Sequence, residues 1–202
     1  MDEQPAGEHA RRAASVYGAA ADHYTLTTFE FRHGDATQTE LPDGSFDAVV
    51  CVFGVFFAPD MTAFVEEMWR LVRPDGVLAV TTWGPGLFEP ADSCFWERVR
   101  EIEPSLYKSF NPWDQITTPV ALAELLSGAG VTRPTMEAVE ARHHLEHPDR
   151  FWDIVLGSGY RATVDALSAD QRDHLRESLL AEMRLREFTV LRTDVVFGTA
   201  TR

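Results

Sequence analysis

The sequence has few cysteines, few positive charges and no long apolar run, and each shortage excludes a class of protein. Its 202 residues include only two cysteines, Cys51 and Cys94, which provide neither a disulfide framework nor the spacing of a metal site. The 18 Lys and Arg residues stand against 32 Asp and Glu residues, which gives a formal net charge of −14. That charge repels phosphate backbones and anionic membrane surfaces, so we expect no nucleic-acid partner and no membrane partner.

The sequence also leads us to expect no membrane-spanning segment and no secretory signal. The longest charge-free apolar run, residues 48–58, is shorter than the ~20 residues that span a bilayer. The acidic first nine residues lack the charged-then-apolar pattern of a secretory signal. Hydrophobic residues make up 45% and charged residues 25%, a composition typical of globular proteins. We therefore expect a single cytoplasmic domain over residues 1–202, long enough to bury one core.

The segment that organises the chain is residues 28–83, which is typical of a strand, a loop, a strand, a helix and a strand. A first strand is expected at 28–32, and it leads into Gly34-Asp35-Ala36. The apolar run at 46–53 predicts a second strand, of the kind that helices cover on both faces of a parallel sheet. A third strand is expected at 77–83.

The helix between the last two strands is expected to begin at Asp60, whose carboxylate can cap free backbone N–H groups. Arg70 and Arg73 are expected in its last turn, before Pro74-Asp75-Gly76 ends it. Its apolar side chains recur at helical spacing and predict one buried face: Phe64, Val65, Met68, Leu71 and Val72. A strand–helix–strand unit of this length predicts a right-handed parallel crossover, and therefore an α/β fold.

Four pieces of this segment resemble the class I, Rossmann-like S-adenosylmethionine-dependent methyltransferases that act on small molecules. In order they are GDAT at 34–37, LPDGSFDAVV at 41–50, RLVRPDG at 70–76 and LAVTTW at 78–83. The resemblance extends over most of the chain, from about residue 13 to the end. It implies a mostly parallel Rossmann-like sheet with flanking helices and an antiparallel C-terminal strand. It also implies S-adenosylmethionine as the cofactor and a small molecule as the substrate.

The resemblance further implies which residues bind the cofactor. Asp35 would accept hydrogen bonds from the adenine amino group, and the backbone N–H of Ala36 would face the adenine ring. Three residues at the exit of the second strand would line the methionine side: Cys51, Val52 and Phe53. The alternative for Asp35 is an Asx turn beside Gly34, and the alternative for the strand residues is ordinary core packing.

Aromatic residues and two histidines are the candidates for the substrate side. The pocket residues implied by the resemblance are Phe56, Phe57, Tyr107 and Trp113. The alternative for the aromatic segment 103–117 is a lid that packs on its own side chains. His143 and His144 are candidates for a general base, but neighbours on the strand predicted at 135–145 point to opposite faces, so ordinary structural histidines are the favoured interpretation.

The sequence departs from the family pattern in its N-terminal half. The family has a strand, a glycine-rich loop and a strand ending in a ribose-binding acid before the GDAT piece. Here about 60 residues, the length of two βα units, are absent at that point, and residues 1–45 contain no glycine-rich fingerprint. Asp153–Gly159 ends in a G-x-G turn, but a helix ending at Gly157 is the favoured interpretation. We therefore expect a fold truncated in its N-terminal half.

The remaining segments divide the expected domain into four parts. Residues 1–26 are expected as an N-terminal helical segment and 27–83 as the core. Residues 84–187 are expected as a helical or lid region with one strand, and 188–202 as the C-terminal strand region. Helices are predicted at 92–102, from Pro119 to Gly128, and over 168–188, where Ser168 is the cap and Leu175, Leu179, Leu180 and Met183 face inward.

Three functional hypotheses follow from these patterns. The first is a methyltransferase whose cofactor binding is impaired, or depends on oligomerisation, because the glycine loop is missing. The second is a non-catalytic scaffold or partner-binding relative, and the third is an engineered or incomplete deletion form of an active methyltransferase. A sheet without its central strands exposes an edge, so we also expect a homodimer.

Overall fold

Two parallel strands joined by a helix form the centre of the fold, as the sequence predicts. Strand β1 (Phe46–Val52) pairs in parallel with β2 (Val72–Trp83), and helix α1 (Met61–Leu71) connects them. The structure is a computed structural model that describes residue 30 and residues 32–202. This unit confirms the α/β fold class.

The main sheet has four strands in the order β1-β2-β6-β3. Strand β6 (Val195–Thr201) runs antiparallel to β2, and β3 (Thr135–Val139) runs antiparallel to β6. A second sheet contains β4 (Arg142–His144) and β5 (Val190–Arg192). The expected antiparallel C-terminal strand is therefore confirmed.

The single strand predicted at 135–145 is instead two strands in two sheets. The Asp194 carboxylate accepts hydrogen bonds from the backbone N–H of Ala141, at 3.0 Å, and from the Arg142 guanidinium, at 2.6 Å. These side-chain bonds replace the ladder bonds that a continuous strand would make, so the chain bends between β3 and β4. Residues 84–187 consequently contain two strands rather than one.

Helix α1 begins where the sequence predicts but ends earlier. The Asp60 carboxylate accepts a hydrogen bond from the Ala63 backbone N–H at 3.0 Å, which caps the first turn. The helix ends at Leu71 and β2 follows without a loop, so Arg73 lies in the strand rather than in the last helical turn. The Arg202 side chain donates to the carbonyls of Trp69, Arg70 and Val72, which stabilises this tight junction from the far end of the chain.

The other helices surround the sheet and the second half of the chain. They are α2 (Ala91–Ile102), α3 (Pro119–Gly128), α4 (Phe151–Gly157), α5 (Arg161–Ala166) and α6 (Ala169–Leu185). Ser168 and Gln171 form a capping box at the start of α6. The four residues predicted to face inward on α6 are all buried, and the helix favoured over a G-x-G loop at 153–159 is observed as α4.

Two apolar clusters form the core. One joins β1, β2 and β6 to α1 and α3, and the other joins α2, α4, α5 and α6. Along residues 32–202, no helix is long and apolar enough to cross a membrane.

Strand β1 lies at the edge of the sheet that the described residues form. Its Val50 and Val52 side chains are 62% and 61% exposed, unlike a strand that helices cover on both faces. The first strand predicted at 28–32 lies largely outside the described residues, and the N-terminal helical segment predicted at 1–26 lies wholly outside them. Glu30 and Arg32, which are described, are not in a strand and form a 2.7 Å ion pair.

Helix α3 offers a test of the sheet-side core. Leu122 is fully buried there, whereas Val120 on the same helix is 67% exposed. We expect Leu122→Ala to lower the free energy of unfolding by about 2–5 kcal/mol, because it removes buried methyl groups and leaves a cavity. Val120→Ala is the matched control and should change it by less than about 0.5 kcal/mol. Urea denaturation measures both, and equal effects would contradict the packing described.

Candidate functional site

The two parallel strands end in aromatic residues that stack on each other. Phe53 follows β1 and Trp83 ends β2; their ring centroids are 3.8 Å apart and their planes differ by 13°. Phe53 has a φ of +51°, a left-handed conformation that costs roughly 1–2 kcal/mol in a non-glycine residue. Its backbone N–H donates to the carbonyl oxygen and to Oγ1 of Thr81, both at 3.1 Å. Strand pairing thus holds Phe53 in a strained conformation at the sheet edge where α/β folds bind ligands.

A cavity of about 700 Å³ opens beside this stack. Its described walls are mainly aromatic, with a T-shaped contact between Phe56 and Trp113 at 5.4 Å and a tilted contact between Phe88 and Tyr160 at 6.1 Å. The polar and charged side chains among its lining residues are Asp92, Lys108, Asn111, Asp114, Ser158 and Tyr160. Flat aromatic walls with a few polar groups are typical of a small-molecule site.

Asp92 and Tyr160 form a hydrogen-bonded pair in the cavity wall. Asp92 lies in the first turn of α2, and the buried Tyr160 hydroxyl donates to its Oδ1 at 2.5 Å. Burial raises the pKa of Asp92 to about 6, and the negative charges of Glu89 and Asp114 act in the same direction. Hydrogen bonds from Tyr160 and Trp96 oppose that rise. Burial, followed by the charge of Asp92, raises the pKa of Tyr160, so the phenol keeps its proton and remains the donor.

Ser158 provides a second polar group in the same wall. Its Oγ is buried and has no hydrogen-bond partner among the described residues. A buried hydroxyl without a partner costs about 1–3 kcal/mol, so this wall carries an energetic cost to the fold.

The structure brings several of the predicted site residues together. Phe53, Phe56, Phe57 and Trp113 line the aromatic cavity. Tyr107 lines a neighbouring cavity of about 270 Å³, which shares Asp92, Trp96 and Lys108 with the first. Cys51 is buried in the sheet-side core, where burial raises the pKa of its thiol, and Val52 is exposed.

Asp35 and Ala36 lie in a different cavity, of about 540 Å³, formed by the loop over residues 32–41. The Asp35 carboxylate accepts hydrogen bonds from the Thr37 backbone N–H at 2.8 Å and from its hydroxyl at 2.7 Å. Both hydrogen bonds lower the pKa of Asp35, and the bond from the Thr37 hydroxyl has the larger effect. This is the Asx-turn geometry that the sequence offers as the alternative. In the described part of the chain this cavity shares no lining residue with the aromatic cavity.

The candidate histidines are placed away from the aromatic cavity. His143 and His144 lie in β4, opposite Leu191 and Val190 of β5, and both are exposed. Neither is among the described lining residues. Between residues 32 and 202, no group of three His, Cys, Asp or Glu side chains is arranged to hold a metal ion.

Sequence reasoning missed Asp92, Ser158 and Tyr160. The apolar pattern of α2 locates Asp92 in a first helical turn, but its burial depends on Tyr160, which is 68 residues away in the chain. Only the tertiary contact shows that these side chains face one cavity.

Comparison with known proteins shows similarity to methyltransferases. Residues 6–80 match a family described as a methyltransferase domain. Demethylmenaquinone methyltransferase of Deinococcus radiodurans is 37% identical over 141 residues, which cover 70% of this chain and 51% of that protein. The 2-methyl-6-phytyl-1,4-hydroquinone methyltransferase of Synechocystis is 37% identical over 71 residues, which cover 35% of this chain and 22% of that protein. The chain thus spans about half the length of the first relative and less of the second.

A solved structure shows the same fold. A candidate methyltransferase from an antibiotic biosynthesis pathway of Anabaena variabilis superposes with a TM-score of 0.58 at 18% identity. The superposition covers 89% of this chain and 76% of that one.

The burial of Asp92 predicts an unusual dependence of stability on pH. The unfolded chain loses this proton near pH 3.9, whereas the folded protein keeps it to about pH 6. The free energy of unfolding therefore falls as the pH rises through that window, and the cost remains at higher pH. We expect Asp92→Asn to raise the free energy of unfolding at pH 7 by about 1–2 kcal/mol and by little at pH 4.

Urea denaturation at pH 4 and pH 7 measures this effect. Asp170→Asn is the matched control, because Asp170 occupies the same first-turn position on α6 and is exposed. It should change stability by less than about 0.5 kcal/mol at either pH. A loss of stability in Asp92→Asn at pH 7 would contradict the buried charge.

Proposed function

Because this chain resembles methyltransferases, we propose that it belongs to the class I, Rossmann-like methyltransferase family, binds S-adenosylmethionine and methylates a small molecule. The observation that carries the proposal is the aromatic cavity beside Phe53 and Trp83, at the carboxyl ends of two adjacent parallel strands. Ligands of open α/β sheets bind at that edge. The cofactor supplies a methyl group activated by its sulfonium, and the protein's task is to position the acceptor beside it.

We assign the site residues of this chain to two roles, binding of the cofactor and binding of the methyl acceptor. We assign Phe53, with Cys51 and Val52 at the same strand exit, to the methionine side of the cofactor, and Asp35 and Ala36 to the adenine. The acceptor side consists of Phe56, Phe57 and Trp113, with Tyr107 in the adjoining cavity. The names of both relatives indicate quinone or hydroquinone rings as their substrates, and flat aromatic walls suit such rings.

Cofactor binding by a single chain is expected to be weak. Asp35 and Phe53 line separate cavities in the described structure, and the sequence of residues 1–45 contains no glycine-rich fingerprint. Each polar group of the cofactor that is buried without a partner costs about 1–3 kcal/mol, so a few such losses reduce affinity by several powers of ten.

We propose that a second copy of the chain covers the edge strand β1. Val50 and Val52 are exposed on β1, at the sheet edge of the described residues. Exposed strand edges pair readily with other chains, and a symmetric dimer would bury the same strand from both copies. The same edge also supports the second candidate function, a non-catalytic methyltransferase-like scaffold that binds a partner there.

Calorimetric titration with S-adenosylmethionine tests the cofactor proposal. We expect a dissociation constant weaker than ~100 μM for the wild-type chain. Phe53→Ala should weaken binding further, by about tenfold, because it removes the stacked ring at the strand end. Leu185→Ala, at an 84% exposed position, is the control and should have no effect. Micromolar binding would contradict the impaired site, and no binding at millimolar cofactor would contradict the cofactor assignment.

Light scattering across a dilution series tests the dimer. The wild-type chain should show twice the mass of a monomer at micromolar concentration. A Val50→Lys, Val52→Lys double variant should shift it to monomer, because two buried charges oppose edge pairing. Val120→Lys places the same charge on the exposed face of α3 and should leave the mass unchanged. A compact wild-type monomer at high concentration would overturn this proposal.

A further inference from the structure

We propose that the Asp92–Tyr160 pair determines acceptor specificity by binding a hydroxyl group carried on an aromatic ring. The inference rests on the proposed function, since it names the substrate class of the same cavity. Asp92 is the group that would accept the hydrogen bond from the ligand hydroxyl, and Tyr160 is the residue that positions Asp92.

The position of the carboxylate is fixed by its surroundings. Asp92 is held at the first turn of α2, where free backbone N–H groups favour a negative charge. The Tyr160 hydroxyl donates a hydrogen bond to Asp92. The Tyr160 ring packs against Phe95, at 4.6 Å between ring centroids, and against Phe151, at 6.1 Å. Because these two buried rings fix the position of the Tyr160 hydroxyl, the Asp92 carboxylate that accepts its hydrogen bond is held in one orientation. Selective recognition requires such a fixed group.

The walls of the cavity favour a flat ring as the body of the ligand. Phe53 stacks on Trp83 on one side, and the Phe56–Trp113 pair lies on another. Offset stacking or edge contact with such rings adds about 0.5–1.5 kcal/mol beyond the burial of area. The cavity of about 700 Å³ has room for a fused two-ring compound.

Ser158 lies in the same wall, but its Oγ is buried and has no partner among the described residues. Asp92 is therefore the group that distinguishes a hydroxyl, which donates a hydrogen bond to it, from a methyl ether, which has no donor.

A cation already lies beside the site. The charged groups of the surrounding elements are Glu89 before α2, Asp114 in the 112–116 turn and Lys108. The Lys108 Nζ already lies 5.9 Å from the centroid of Trp96, over the aromatic wall that a second cation would use. A neutral O–H donor avoids that repulsion and still forms a charge-assisted hydrogen bond with the Asp92 carboxylate.

The test measures binding of two probes to the full chain at pH 7.5 without cofactor. The probes are 2-naphthol and 2-methoxynaphthalene, which lacks the O–H donor. We expect 2-naphthol to bind about 10- to 100-fold more tightly than the ether, the range of a charge-assisted hydrogen bond. Asp92→Asn should reduce that ratio to about threefold or less, and the control Asp170→Asn should leave it unchanged.

Two further measurements separate recognition from folding. The ratio in the wild-type chain should fall as the pH drops below about 6, because a protonated Asp92 loses its charge. In Tyr160→Phe the midpoint of that fall should move to higher pH, since the lost donor had stabilised the carboxylate. A merely structural role for the pair would move neither midpoint nor ratio.

Several results would overturn the inference. They are equal binding of 2-naphthol and its ether, an unchanged ratio in Asp92→Asn, or no binding of either probe. Because no cofactor is present, these failures are independent of the S-adenosylmethionine titration. A chain that binds 2-naphthol through Asp92 but not the cofactor would retain this inference and lose the proposed methyl transfer.

Discussion

The parallel pairing of β1 with β2 is the constraint on which the rest of the structure depends. It aligns Val50 with Ala79 and Val52 with Thr81, so β2 continues for two residues beyond the end of β1. Phe53 follows β1 and stacks on Trp83 at the end of β2, and Thr81 accepts a hydrogen bond from the Phe53 backbone N–H. The crossover through α1 makes this pairing possible, because parallel neighbours need a connection that returns the chain to the starting edge.

The site beyond those strand ends is built at some cost to stability. Asp92 is half-buried close to Glu89 and Asp114, which disfavours its charge, and Phe53 occupies a left-handed backbone conformation. Neither feature helps the fold, and both lie on the same aromatic cavity. Strain and buried charge concentrated at one cavity are typical of a site that is organised for a ligand rather than for folding.

The two sides of the proposed site are unequally complete. The acceptor side has aromatic walls and an oriented carboxylate in one cavity. On the cofactor side, the loop that carries Asp35 lines a cavity of its own, and β1 is the edge strand of the sheet that the described residues form. The acceptor side is therefore the more completely formed half of the proposed site.

The sequence by itself determined the parts of this protein that depend on neighbouring residues. The apolar run of β1, the Asp60 cap of α1 and the Ser168 capping box could all be predicted, because each is a local pattern of side chains and free backbone groups. Only the tertiary structure decided that β3 and β4 separate at Ala141, where the Asp194 carboxylate accepts a hydrogen bond from the Ala141 backbone N–H. It also decided that Asp92 meets Tyr160, since the burial of a carboxylate depends on side chains that are distant in the chain and close in space.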